Sequence, residues 1–282
     1  KLLTKLLKDK KNIITLHKKK ISLTNKRLKN HLQFEFNINN LNYIFSNYHI
    51  KIIIHLAVQY DKSDRKLISL YKSNLIFPSK ILNYALQHNV KYFINTDTFY
   101  EKYKDQYSLT KKHFKEILFY SRKKIKVLNL ELGHVYGPND NKKKFIPSTI
   151  KKMNKNLKIS ILNPNVYIDF IFIDDVVKAY INIINNIDKI EKNFSSFYIG
   201  NYKKITLKNF FSFLKKEYLN LNPSSKFDFL YDIDKKNKIK KSINRAIVKK
   251  DPFLKKIKWK TSVDLLKGLK ETIKFSKNNE TN

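Results

Sequence analysis

The sequence predicts an α/β protein: a doubly wound parallel sheet followed by a smaller α/β lobe. Three observations predict it. Short apolar runs recur through the first half of the chain, and such runs suit strands covered on both faces. Amphipathic stretches separate them, and stretches of ten residues or more cross from one parallel strand to the next as helices. After Gly137-Pro138 the pattern gives way to alternating helical and irregular segments.

The elements follow in order. Leu2, Leu3, Leu6 and Leu7 lie at helical spacing, and residues 12–16 (NIITL) read as a strand. Residues 51–57 (KIIIHLA) form a continuous apolar run, the mark of a buried strand. A helix over 74–88 carries Leu75, Leu82 and Leu86, and 90–95 (VKYFIN) is the next strand. Residues 107–120 read as a helix and 126–132 (KVLNLEL) as a strand. The polar segment 139–144 (NDNKKK) is a connection and 145–153 a helix. Residues 167–173 (YIDFIFI) read as one strand, with a helix over 174–187 behind it. No internal repeat is present, and 276–282 is expected to fray. The expected division is 1–140 and 141–282, with about 167–187 packing back on the first part. A doubly wound fold opens with a strand and a Gly-rich turn, whereas this chain opens inside a helix. About 15–20 residues of a parent protein, one strand and a turn, are therefore expected ahead of Lys1.

Composition narrows the function classes. Of 282 residues, 42% are hydrophobic and 13% aromatic, enough for a core and against wholesale disorder. No run reaches the ~20 apolar residues of a membrane-spanning helix. The absence of cysteine excludes disulfides, thiolate metal sites and cysteine nucleophiles, and fits a cytoplasmic protein. A formal charge of +36 would suit a polyanion partner, yet only Arg27, Arg65, Arg122 and Arg245 are arginine and the lysines run from end to end. Bidentate readout of phosphate and guanine favours Arg, so nucleic acid is disfavoured as the main partner and a solvated lysine surface preferred. Only four glycines occur, none before Gly133, where a chain averages ~7%.

Tyr107 and Lys111 stand four residues apart in Y-S-L-T-K, which places them one turn apart on one helix face. A lysine ammonium there favours the phenolate and is expected to lower the tyrosine pKa. Such a pair can exchange a proton with a sugar or alcohol oxygen. Thr96 and Asp97 precede them at the end of a strand, and ligands of doubly wound sheets sit at the carboxyl ends of strands. The Thr96 hydroxyl could hydrogen-bond a carbonyl there, or cap a loop. Asp97 reads as an auxiliary acid or an Asx-turn residue.

In combination these residues resemble the extended short-chain dehydrogenase/reductases that modify nucleotide sugars, over almost the whole chain. The matching segments are His55-Leu56-Ala57, Asn74, residues 95–100 (NTDTFY), the Tyr107 and Lys111 pair, Tyr136-Gly137-Pro138, Asp169-Phe170-Ile171, residues 173–176 (IDDV), Tyr198-Ile199-Gly200 and Thr206-Leu207. The resemblance implies a Rossmann-type cofactor domain and a C-terminal lobe for the nucleotide sugar. Thr96, Tyr107, Lys111 and Asp97 would be catalytic. His17, Lys18, Asn37, His55, Leu56, Ala57, Asn74, Tyr107 and Lys111 would line the cofactor, and Val135, Tyr136, Tyr167 and Asp169 the substrate. No metal is implied.

Within the family the short gap between N-T-D-T-F and Y-S-L-T-K is most similar to the reductases that make CDP-abequose or CDP-paratose for surface polysaccharide (O-antigen). The reaction implied is reduction of a CDP-4-keto-6-deoxyhexose by NADP(H) or NAD(H). Cations at His17-Lys18-Lys19-Lys20, where an acidic residue typically holds an NAD ribose, lean toward a 2′-phosphate. Three features depart from the family pattern. The family's G-x-x-G-x-x-G is not in the chain, so the chain as given is expected to bind cofactor poorly. Asn37 replaces an Asp near the adenine, and Tyr167 replaces an Arg that meets the sugar-nucleotide phosphates. The alternatives are a 4-epimerase or 4,6-dehydratase with tightly held NAD, a non-catalytic fold relative, and a basic nucleic-acid binder. A homodimer without membrane contact is expected from the resemblance.

Overall fold

The computed structural model describes residues 1–9, 11–17, 30–60, 67–232 and 250–278. In chain order the elements are α1 (Leu2–Lys8), β1 (Ile13–His17), β2 (His31–Glu35), α2 (Ile38–Asn47), β3 (Ile52–His55), α3 (Leu67–Tyr71), a π-helical turn (Lys72–Ile76) and α4 (Phe77–Gln87). Then come β4 (Tyr92–Thr98), α5 (Gln106–Ser121), β5 (Lys126–Leu132), β6 (His134–Tyr136), α6 (Phe145–Asn154), β7 (Ile159–Leu162), β8 (Tyr167–Ile168) and β9 (Phe170–Phe172). The chain continues with α7 (Ile173–Asn185), β10 (Phe194–Ile199), β11 (Ile205–Thr206), α8 (Leu207–Leu221), β12 (Phe229–Asp232), α9 (Pro252–Lys256) and α10 (Leu265–Asn278). Two compact units emerge, one of Lys1–Glu131 with Tyr180–Phe197, the other of Leu132–Ala179 with Tyr198–Asn282. Residues 132–140 thus group with the second unit, and of the segment 167–187 only 180–187 groups with the first.

The first unit holds a four-stranded sheet in the order β10-β5-β4-β3 and a parallel pair β1-β2. β3 and β4 run parallel, with Ile52 opposite Tyr92 and His55 opposite Asn95. Five consecutive residues of β5 are buried and only Thr96 of β4 is half-buried, as expected of strands covered on both faces. Leu41, Phe45, Leu82, Phe93, Phe114 and Val127 lie in the core that joins helices to sheet. Two helices start on side-chain caps, Asn37 accepting from Asn40 N at 2.7 Å before α2 and Asp105 from Ser108 N at 2.7 Å before α5. β2 and α2, which the apolar periodicity did not reveal, complete this unit.

The second unit has its own aromatic core, in which Phe170 stacks on Phe210 at 4.0 Å between ring centroids. The run 167–173 is not one strand. It breaks at Asp169, β8 pairing antiparallel with β11 and β9 parallel with β6. The break follows from the side chain: Asp169 accepts from Tyr198 Oη at 2.8 Å, Tyr202 N at 2.9 Å and Asn201 N at 3.0 Å, so it braces the 200–202 turn. Asp175 plays a similar part, accepting from Ser262 N and Oγ and from Val263 N, while Trp259 Nε1 donates to its carbonyl. Residues 276–278, expected to fray, are the last turn of α10. Gly268 on that helix lies against the Tyr136 phenol, and a Cβ there would strike the hydroxyl oxygen.

Candidate active site

β4 sorts the site into two sides. Successive side chains of a strand point to opposite faces, so Thr96 and Asp97 part company. Thr96 Oγ1 shares a 2.5 Å hydrogen bond with the Tyr180 phenol of α7. Asp97 faces α5, where its Oδ2 accepts from Lys112 Nζ at 2.9 Å. The Tyr180 phenol is buried, and burial raises its pKa well above the usual phenol value.

Tyr107 and Lys111 lie on the first turns of α5. The Tyr107 ring meets the Tyr60 ring edge-on at 4.9 Å between centroids. The expected depression of this phenol by Lys111 is not what the structure gives. Burial, then the Asp97 carboxylate, push the Tyr107 pKa far above the ordinary phenol value, with Tyr60, Asp105 and Tyr100 adding to it. Tyr107 is therefore a neutral phenol across the physiological range. Lys111 is almost wholly buried, and among the described residues its ammonium has neither a hydrogen-bond partner nor an ion pair. Burial lowers its pKa to about 8, against an upward pull from Asp97 and with a further push down from Lys112. An unpartnered buried ammonium one turn from a phenol suits the adjacent hydroxyls of a nicotinamide ribose, so these residues fit the expected cofactor.

The lowered Lys111 pKa gives a prediction. Between about pH 8 and 10.5 the unfolded chain binds a proton at Lys111 that the folded chain does not, so stability from this group rises with pH across that window. Denaturant midpoints measured across it should climb, and Lys111→Met should flatten the climb.

Behind the pair runs a buried polar chain that the sequence did not reveal. His55 Nδ1 meets Asn95 Oδ1 at 3.0 Å, Asn95 donates to Asn129 Oδ1 at 2.7 Å, and Asn129 donates to Asp97 Oδ2 at 3.0 Å. Lys112 Nζ also donates to the Thr98 carbonyl at 2.5 Å and lies 3.5 Å from Glu131, which accepts from Lys115 at 2.7 Å. Asp97, expected as an auxiliary acid, is thus the fully engaged centre of an ion-pair network, with Thr98 N on its other oxygen at 2.7 Å. One signal was available: Asn95/Asp97 and Asn129/Glu131 are polar pairs two residues apart in apolar strands, which places each pair on one face.

Asn74 is completely buried in the π turn. It accepts from Gln59 N at 2.8 Å and donates to Gln59 O at 3.0 Å and to Thr110 Oγ1 at 3.1 Å. Thr110 in turn donates to the Tyr107 carbonyl at 2.8 Å. Ser69 and Ser73 both donate to Gln59 Oε1. Asn74, expected as a cofactor contact, positions the loop after β3 and the helix turn that bears Tyr107. π turns inside helices are frequent at functional sites.

The remaining expected site residues divide. His55 is buried among Phe77, Phe93 and Phe114, and burial lowers its pKa to about 3, leaving a neutral ring. Leu56 and Ala57 are exposed at the end of β3. His17 hydrogen-bonds Thr15 Oγ1 at 2.9 Å, and Lys18 to Lys20 lie outside the described residues. Asn37 spends its side-chain oxygen capping α2. In the second unit Val135 is half-buried on β6 and Tyr167 exposed on β8. Tyr136, expected to meet substrate, is a core residue, 3% exposed and packed on Phe170 and Phe172. Asp169 has its carboxylate committed to the 200–202 turn, and burial is the main cause of its raised pKa. Among the described residues no helix is long and apolar enough to cross a membrane.

A parallel sheet with a neutral phenol and an unpartnered ammonium one turn apart is an arrangement suited to dinucleotide-dependent proton and hydride transfer. A family model described as the NAD dependent epimerase/dehydratase family matches residues 1–200, and the chain belongs to that family. The CDP-abequose synthase of Salmonella typhimurium strain LT2 is 34% identical over 232 residues, 79% of this chain and 75% of that protein. The CDP-abequose synthase of Salmonella muenchen is 31% identical over 282 residues, 96% of this chain and 92% of that protein. The solved UDP-glucose 4-epimerase of Thermotoga maritima shares the fold with a TM-score of 0.76 at 21% identity, covering 99% of this chain and 95% of that one. The UDP-glucuronic acid 4-epimerase of Bacillus cereus, solved with NAD, also scores 0.76 at 18% identity, covering 98% and 92%.

Proposed function

We propose that this chain reduces a CDP-linked 4-keto-6-deoxyhexose on the way to a surface-polysaccharide sugar, working in the cytoplasm as a homodimer. The first unit would hold the dinucleotide and the second the nucleotide sugar. What carries the reading is the kinship with two CDP-abequose synthases over most of the chain.

The chemistry of the site supports it. The reduced nicotinamide cofactor supplies a hydride to the keto carbon when bound. Tyr107, held neutral, donates its proton to the oxygen as the carbonyl π bond breaks and the new C–H and O–H bonds form. Lys111 would hold the nicotinamide ribose and place a positive charge beside the phenolate that results. The Thr96 hydroxyl, expected to polarise the carbonyl oxygen, bonds Tyr180 on the other side of β4 from Asp97 and α5, so the proton donation is assigned to Tyr107 alone. Asp97 is held by Lys112 and Asn129, so its carboxylate serves the interior of the site.

The test is consumption of NADPH or NADH by the protein supplied with CDP-4-keto-6-deoxyglucose. One reduced cofactor should disappear per ketosugar consumed. A new sugar nucleotide formed with no net cofactor oxidation would replace this reading with an epimerase.

A further inference from the structure

We propose that Lys112 is a positioning residue, which captures the Asp97 carboxylate and thereby keeps the neighbouring Lys111 ammonium free of any protein partner. The inference rests on the reading of Tyr107 and Lys111 as the reacting pair. Two lysines adjacent in sequence, 111 and 112, are both buried on α5, yet their surroundings differ completely. Lys112 Nζ has Asp97 at 2.9 Å, the Thr98 carbonyl at 2.5 Å and Glu131 at 3.5 Å. Lys111 has no acceptor and no carboxylate within 4.0 Å among the described residues. Asp97 is the only carboxylate among the groups that move the Lys111 titration.

The distribution of acceptors explains why one lysine is satisfied. A buried ammonium seeks an anion, and Asp97 is completely buried. Without Lys112, the carboxylate would turn toward Lys111, on whose ammonium it already acts through space. The ammonium that should meet a ribose would then be spent on a protein carboxylate. Asn129 and the Thr98 amide hold Asp97 on the Lys112 side, and Glu131, shared with Lys115, holds Lys112 from the other end.

The charges facing the pair come from several elements. Asp97 faces it from β4, His55 from β3, Tyr60 from the loop after β3, Tyr100 and Asp105 from the segment before α5, and Lys112 from α5 itself. His55 is neutral, and Tyr60, Tyr100 and Asp105 are left in place by substitution at Lys112. Hence the signs for the Lys111 amine are fixed. Lys112→Met removes a like charge and frees Asp97, so the Lys111 pKa rises. Asp97→Asn removes the attracting charge, so it falls. The double variant loses both, so it returns toward the wild-type value.

The experiment is a pH titration of lysine side-chain amines by NMR on the intact protein without cofactor. The Lys111 signal is identified as the one missing in Lys111→Arg. The expected shifts are up by about one pH unit or more in Lys112→Met, down in Asp97→Asn, and near zero in the double variant. Cofactor affinity should weaken in Lys112→Met and recover in the double variant, a rescue that a purely structural role for Lys112 would not produce. A Lys111 titration unmoved by Asp97→Asn, or a double variant that binds cofactor no better than Lys112→Met, overturns the proposal. If Lys112→Met does not fold, the Asp97→Asn and double-variant titrations decide it alone. Activity is not read in this experiment, so a wrong substrate assignment would leave its outcome untouched.

Discussion

Tyr107→Phe should lower turnover by about 10²–10⁴-fold while leaving the fold and cofactor affinity close to wild type. The change removes one oxygen from a ring that stays packed on Tyr60, so little packing is lost. What disappears is the proton donor. The pH dependence should identify it further. Burial and Asp97 keep the phenol protonated, so the reductive rate should show no basic limb from Tyr107 through neutral pH. A phenol depressed by Lys111 would instead lose its proton, and the reductive rate would fall as pH rises past neutrality. Steady-state kinetics from pH 6 to about 7.5, below the Lys111 pKa of about 8 and well below the ordinary phenol pKa of ~10, separate the two cases. Wild-type turnover in Tyr107→Phe would remove Tyr107 from the mechanism.

Asn74→Ala should be the most damaging substitution away from the reacting groups. It strips partners from Gln59 N, Gln59 O and Thr110 Oγ1 at once. Each buried group left unpaired costs about 1–3 kcal/mol, and with partial relaxation the total should be about 3 kcal/mol. Chemical denaturation would measure it as a lower midpoint at unchanged slope. Activity should fall as well, because the loop bearing Tyr60 loses its anchor. Ser73→Ala makes the comparison. It deletes one bond to Gln59 Oε1 while Ser69 keeps the other, so its cost should stay near 1 kcal/mol. Equal effects of the two substitutions would mean that the backbone clamp adds nothing.

The parts of this molecule readable from sequence are those fixed by local spacing. The four-residue interval of Tyr107 and Lys111 and the apolar runs of β3, β4 and β5 needed no partner to be recognised. What escaped depends on tertiary placement. Lys112 is one lysine in a lysine-rich chain, and nothing local distinguishes it from the solvated ones. Its burial comes from Asp97 and Glu131, which stand on two different strands. The sign of the Tyr107 shift failed for the same reason. Spacing brought the lysine near, but burial and a carboxylate from β4 outweigh it. Tyr136 misled in another way. An aromatic inside a Y-G-P motif looks like a ligand contact, yet the Phe170 and Phe172 rings and the α10 glycine enclose it. Asp169 hid a strand break, since alternation alone does not show that a carboxylate will bond the Tyr198 phenol and two amides of the neighbouring turn.

The π turn at Lys72–Ile76 works like a phase shifter between two otherwise ordinary helices. Each residue of an α-helix advances the chain by about 100°, so widening a single turn lets α3 and α4 keep separate azimuths along one axis. Deleting one residue there would restore regular winding and swing everything upstream out of step by roughly that angle. The helix would survive such an edit, but the amide that tethers residue 59 would face elsewhere. A one-residue deletion at this point is therefore a mutation that secondary-structure measurements would overlook and an activity assay would not.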